Sequence, residues 1–572
     1  MSNANTAGIG LAQAIPGARI NLTGLLGYGA IWAFFLVFLI YPLIRLFYDA
    51  FTTEDGVFTL LNFKDFFTDT FYLHSLLNSI LLGLATVVTT SLVGITFAYL
   101  LLRYEFPGRN LFSFLSFVPM IMPPLVGVMG FVFILGRAGT VNVILMDYFG
   151  LTKPINFMYG IQGVLLVETL HLFPLMTLSI VDAMGKISPS LEEAAESVGS
   201  RGLRKFWDIT FPLTTPGYVS GALLVFIWTF ADFATPLVVG VDDLLASQAY
   251  LNIVQFVDRR LFKMGIVISA IMVFLAIVFL IVAKRYVSIK DYSSLSYSVI
   301  ERRKLPFWGK AGVVFFLAVI LVMAFIPYLG IALDSFGRGW ALTPFPTQYT
   351  LQYFQRVFIE TPKFILNSLL YSGLSVAVCI AVGVPVAWVL ARTKLPGREA
   401  LDSLTTLILA LPGTGIGIAY LRAFRDPLPL MNTALIGMWI VIPLVLGVRR
   451  LPYTVRGTFS SLLIVHRSFE EAAESVGATK VKTFRDVTLP LIWKGVLVGA
   501  LYSFILAMQE ASAALLLVVP GHEMMTVGIF NFYIGGSINE AAALGLILIL
   551  LGAACLFIIN KIAGTKMGGV FG

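Results

Sequence analysis

Long apolar runs separated by short polar segments fill the chain from residue 25 to residue 560. The first run, 25–44, has no charged residue. About 20 residues at 1.5 Å each cross a hydrocarbon core of about 30 Å, so this run predicts a membrane-spanning helix. The same test predicts further spans near 76–102, 111–136, 155–181, 218–240, 264–283, 311–333, 365–391, 400–421, 433–448, 495–519 and 541–560, twelve in all. The stretch before residue 22 is rich in Ala and Gly with one basic residue, Arg19, and does not read as a cleavable signal.

Composition agrees with that pattern. The 572 residues are 58% hydrophobic and 12% charged, against about 25% charged in soluble domains, which excludes a soluble globular class and disorder alike. Cys379 and Cys555 lie far apart in apolar runs, and the four histidines show no metal-ligand spacing, so no disulfide framework or metal centre is expected. The net charge of +8 reads as a device for membrane orientation, not for nucleic acid. With the N-terminus in the cytoplasm, 27 of the 39 Lys and Arg residues fall in cytoplasmic segments. The positive-inside rule then predicts a multi-pass membrane protein with both termini cytoplasmic.

The basic stretch 284–310 reads as a cytoplasmic linker between a first half, 1–283, and a second half, 311–572. The halves are related in sequence. EEAAESVG at 192–199 recurs unchanged at 470–477, an offset of 278, while Asn78-Ser79 recurs as Asn367-Ser368 and RYEFPGR at 103–109 as RTKLPGR at 392–398, an offset of 289. Two homologous six-helix halves repeated in parallel are the predicted architecture, an all-α polytopic membrane protein.

The repeated segments, 186–217 and 466–495, are too polar for lipid. Ser190 with Glu193 and Ser468 with Glu471 have capping-box spacing, so a short helix is predicted to begin at each. Gly199 and Gly477 suit left-handed helix ends, and a second short helix is predicted to stop at Pro212 and Pro490. Ala194, Ala195 and Val198 give a small apolar face suited to a docked partner.

These segments resemble the EAA loop of binding-protein-dependent ABC importer permeases. The pattern of that family is Glu-Ala-Ala, three residues, Gly, nine residues, Ile, one residue, Leu-Pro; here it reads Glu193-Ala194-Ala195, Gly199, Ile209, Phe211-Pro212, and again Glu471-Ala472-Ala473, Gly477, Val487, Leu489-Pro490. The resemblance implies a type I permease fold and an ATP-driven importer in which each loop carries a coupling helix that docks in a cleft of an ATPase subunit. Glu192, Glu193, Ala194, Ala195 and Gly199, with Glu470, Glu471, Ala472, Ala473 and Gly477, are then the ATPase-coupling residues.

The motor lies elsewhere. Neither Gly-Lys pair, 185–186 or 309–310, stands in a G-x-x-x-x-G-K-[ST] loop. The longest external segments, near 49–75 and 335–364, are too short for a receptor domain. The expected partners are two copies of an ABC ATPase, which hold the ATP and Mg, a periplasmic or lipid-anchored substrate-binding protein, and membrane lipid; no cofactor or catalytic residue is expected in this chain.

The offset of 278 carries Asp232 onto Glu510, both expected near the middle of the helix after the EAA loop. An ionisable residue at that depth costs about 2.5 to 3.5 kcal/mol and normally faces a cavity or a partner. The pair fits either a cation pathway or a structural contact between helices. Glu168 and His171, at i and i+3, have no equivalent in the second half and are further candidate pathway residues. Both halves in one chain resemble the ferric iron branch of the family, with thiamine, 2-aminoethylphosphonate or a polyamine as alternatives. A secondary transporter driven by an ion gradient is the alternative from another class; paired cytoplasmic docking helices count against it.

Overall fold

The computed structural model describes residues 22–53, 55–255, 257–289, 302–340, 342–427 and 433–563. The N-terminal Ala/Gly-rich segment, the middle of the 284–310 linker and Lys566 lie outside the described residues. The order of elements occurs twice. In the first half the principal helices are α1 (Leu25–Ala50), α2 (Thr70–Arg103), α3 (Arg109–Leu115), α4 (Pro124–Leu135), α5 (Ile161–Gly185), α6 (Pro189–Ser197), α7 (Phe211–Ala231) and α8 (Arg259–Ile289). The second half repeats them as α9 (Phe307–Phe336), α10 (Pro362–Arg392), α11 (Arg398–Ala410), α12 (Gly413–Ala423), α13 (Val441–Ile464), α14 (Ser468–Ser475), α15 (Leu489–Met508) and α16 (Ile538–Ala563).

Among the described residues ten helices are long and apolar enough to cross a membrane, and α11 with α12, bent by 110°, make an eleventh. The twelfth position belongs to α13, whose 24 residues reach about 36 Å, enough to cross a core of about 30 Å. It carries Arg449, Arg450 and Arg456 and so fails a test of apolarity. The span expected at 433–448 is therefore displaced and lengthened, because the helix continues through two arginines that a sequence reading takes as its cytoplasmic end. The span expected at 111–136 is broken at Pro123 into α3 and α4, as α11 and α12 are broken at Pro412. Proline lacks the N–H that would continue the ladder.

Helices α2, α5 and α7 pack together in the first half, as α10, α13 and α15 do in the second. The halves then exchange their first helices: the end of α1 packs on α12, and α9 packs on α4. Tyr420 donates to the Phe38 carbonyl at 2.5 Å, and Tyr328 to the Val118 carbonyl at 2.6 Å. Where α4 crosses α9, Gly130 and Gly330 meet backbone to backbone, and a Cβ on Gly130 would overlap the Pro327 carbonyl. Glycine is required there by the closeness of the helices.

The repeated Asn-Ser pairs also find a use. Ser79 Oγ accepts the Leu245 N–H at 2.8 Å, and Ser368 Oγ the Met525 N–H at 2.7 Å, each at the first residue of a ten-residue helix. Asn78 donates to Asp243 at 2.7 Å, and Asn367 to the Glu523 carbonyl at 3.1 Å. A buried serine in the first third of α2 or α10 thus satisfies an orphan amide of another helix.

Candidate translocation site and coupling surface

Asp232 and Glu510 lie just past helix ends, not within helices. α7 closes at Ala231 and α15 at Met508. Asp232 Oδ1 accepts the Ala234 N–H at 3.0 Å and Oδ2 the Thr235 N–H at 3.3 Å, while Glu510 Oε1 accepts the Ala513 N–H at 3.2 Å. Each acid thereby caps a five-residue helix, Ala234–Val238 or Ser512–Leu516. The equivalence inferred from the offset is structural; the mid-helix placement is corrected, because each acid turns the chain and satisfies the freed amides.

The surroundings of the two acids differ. The offset of 278 places Arg449 at the position of His171 and Arg450 at that of Leu172, so His171 has a counterpart of opposite chemical use. Glu510 is 4% exposed and is ion-paired with both Arg449 and Arg450. Asp232 instead lies beside the carboxyl group of Glu168, whose Oε2 accepts from Thr229 at 3.3 Å. His171 lies beside the Pro119 carbonyl. No three His, Cys, Asp or Glu side chains converge as a metal-holding set among the described residues.

Glu168, His171, Asp232, Arg449, Arg450 and Glu510 line one cavity of about 150 Å³. It lies where the chain breaks four times, at Pro123, Pro412, Asp232 and Glu510, and Gln509 closes it across the halves by donating to the Ile121 carbonyl. Irregular backbone at membrane depth is tolerated only against protein or a polar cavity. The four breaks and the cavity explain one another.

The polar end of the molecule is built by the repeated segments. α6 and α14 close on Gly199 and Gly477 at φ +89° and +91°, the left-handed conformation expected of them. The expected capping boxes do not form. α6 starts at Pro189 after Ser188, and α14 at Ser468 itself, so Ser190 and Ser468 lie inside their helices, and Ser468 contacts His466 at 2.9 Å. Pro212 and Pro490 do not stop a helix either: a π-helical turn, Phe206–Thr210 or Phe484–Thr488, leads straight into α7 or α15, with proline in its first turn where no amide is needed.

Glu193, Ala194, Glu471 and Ala472 are exposed, Ala473 is half-buried and Ala195 is buried. Val198 and Val476 are 84% and 85% exposed and stand as an apolar residue at the tip of each repeated segment. Glu470 turns inward: Arg392 donates to it at 3.1 Å and Thr488 at 3.1 Å, tying α14 to the end of α10. The side chain of Glu192 lies outside the described residues.

A family profile described as binding-protein-dependent transport system inner membrane component matches residues 90–291 and 383–569. The chain belongs to this family. It is a permease subunit of an ABC importer in the inner membrane, not an enzyme, and the ATPase is a separate subunit. Membership sets aside the gradient-driven alternative. The permease is 28% identical over 495 residues to the ferric transport system permease protein FbpB of Actinobacillus pleuropneumoniae, covering 85% of this chain and 71% of that one. It is 28% identical over 491 residues to the putative ferric transport system permease protein FbpB 1 of Haemophilus influenzae, covering 84% and 76%. A putative 2-aminoethylphosphonate transport system permease protein, PhnU of Salmonella typhimurium, is 27% identical over 201 residues, 35% of this chain and 70% of that one.

Proposed function

We propose that the permease imports ferric iron, as the membrane channel of a complex with two ATPase copies, one under each EAA loop, and a periplasmic or lipid-anchored substrate-binding protein on the other face. The observation that carries this reading is the extent of similarity to the ferric permeases, which runs over 85% of the chain and so through both halves. Two halves, 1–283 and 311–572, joined through 284–310, would each offer one coupling helix, and ATP and Mg would bind only to the partner ATPase. The distribution of charge supports cytoplasmic termini. Removing Arg449, Arg450 and Arg456, now inside α13, from the 27 cytoplasmic basic residues leaves 24 against 12, so the bias survives.

The test is uptake by proteoliposomes holding the permease, its ATPase and its binding protein, supplied in turn with radiolabelled ferric iron, thiamine, 2-aminoethylphosphonate and spermidine. ATP-dependent accumulation of iron alone is the expected result. Accumulation of any of the others in place of iron would replace the substrate assignment and leave the importer intact.

A further inference from the structure

One wall of the central cavity holds more hydrogen-bond donors than the protein consumes. Arg449 and Arg450 both direct their ion pairs at a single oxygen, Glu510 Oε2, and the other oxygen of Glu510 is taken by the Ala513 N–H. Two guanidinium groups carry about ten N–H donors between them. Arg450 also meets the Tyr453 hydroxyl, and its buried Nε–H has no acceptor among the described residues. Gly413 makes room for this arrangement, since a Cβ there would lie 2.8 Å from Arg449 Nη1. Arg449, Arg450 and Tyr453 line the same cavity as Glu168, His171 and Asp232.

At this wall a bare multivalent cation would meet two guanidinium groups against the single carboxylate of Glu510, in a medium of low dielectric where like charges repel strongly. A substrate that brings its own oxygens would find planar paired donors already in place. We propose that the cavity binds its substrate through an oxyanion group, carboxylate, phosphate or phosphonate oxygens seated on Arg449 and Arg450, with the cationic centre of the same substrate turned toward Glu168 and Asp232. This rests on reading the cavity as the transport site. On the ferric reading the iron crosses as a complex with an oxygen-rich anion; an aminophosphonate shares the chemistry as a single molecule.

Trp228 lines the cavity and serves as a reporter. The purified permease with its ATPase is titrated with ferric citrate, inorganic phosphate, 2-aminoethylphosphonate and, as a cation without an oxyanion, spermidine. The expected result is saturable quenching by at least one oxyanion probe, absent in Trp228→Phe, and none by spermidine. Arg449→Lys with Arg450→Lys keeps the charge facing Glu510 but removes the fork, and it is expected to weaken the responding probe at least about tenfold while the protein still elutes as one species. A second measurement needs no variant: phenylglyoxal modification of Arg449 and Arg450 in the wild-type protein, read by mass spectrometry, is expected to slow when that probe is present. Unchanged binding by the folded lysine pair, quenching by spermidine alone, or no quenching and no protection by any oxyanion would overturn the proposal. A response to 2-aminoethylphosphonate and none to ferric citrate would keep the arginine site and overturn the ferric reading instead.

Discussion

The two acids that a repeat places in register contribute differently once their neighbours are known. Asp232 uses its carboxyl group as a helix cap, and Asn keeps the acceptor for the closer Ala234 N–H while losing the longer one to Thr235, so Asp232→Asn is expected to leave the protein folded at a cost of about 1 kcal/mol. Glu510 compensates two arginines that are 13% and 12% exposed. Glu510→Gln leaves them buried without a counter-charge, and breaking a buried pair from one side costs about 3–5 kcal/mol. The expected outcome is a sharp fall in folded yield and melting temperature for Glu510→Gln, beside a near-normal Asp232→Asn, measured by fluorescence-detected size exclusion after heating. Equal losses would show that the ion pairs are not what holds the second half at this point. The correspondence of the acids was legible from the offset alone. Their partners were not: Arg449 and Arg450 end an apolar run, and a rule built on the cost of charge in lipid assigns such residues to the cytoplasm until the acid that pays for them is seen beside them.

At the scale of elements, the polar repeats were the most readable part of the chain, because an eight-residue identity and two left-handed glycines survive without knowledge of packing. The misread details were local. Capping boxes and proline stops assume that a helix begins or ends at the first permitted residue, whereas Pro189 starts α6 earlier and the π-turns carry the chain past Pro212 and Pro490. With Glu193 and Glu471 exposed, Glu193→Lys together with Glu471→Lys is expected to abolish ATP-driven uptake and weaken ATPase association without loss of membrane insertion. Normal uptake in vesicles would remove the coupling role. The first coupling helix has a further tie. Short strands β1 (Tyr104–Glu105) and β2 (Arg303–Lys304) pair in parallel, and Glu196 receives both Lys205, at 2.8 Å, and Arg303. The Lys205 and Arg303 hydrogen bonds hold the Glu196 carboxyl below its ordinary range. A lowered folded value means that this contribution is complete above the unfolded carboxyl value, about 4.3, and is lost only as pH falls through the lowered one. Protection of the 104–105 amides against hydrogen exchange should therefore be constant from pH 8 to pH 5 in the wild type and reduced throughout that range in Glu196→Gln.

For the whole molecule, the exchange of first helices could not be read from periodicity, since an apolar helix facing a neighbour and one facing lipid have the same composition. The exchange makes the cavity a property of both halves, and it also fixes which ends of the helices share a side. Arg303 contacts α6, so residue 304 lies on the side of the coupling helices; α9 then runs from Phe307 to Phe336, across the hydrophobic thickness, and residue 345 follows on the opposite side. If the ATPase docks on the coupling helices, that side is cytoplasmic, which agrees with the excess of basic residues there. Lys304→Cys is thus expected to be shielded from an impermeant thiol reagent added to intact spheroplasts and to react after lysis, whereas Phe345→Cys, replacing a side chain that is 53% exposed, is expected to react in both. Cys379 is buried and Cys555 only partly so, and Cys555→Ala in the background removes the reaction at the native thiol. Labelling of position 304 in intact spheroplasts with protection of position 345 would invert the molecule and, with it, the assignment of the EAA surface to the ATPase.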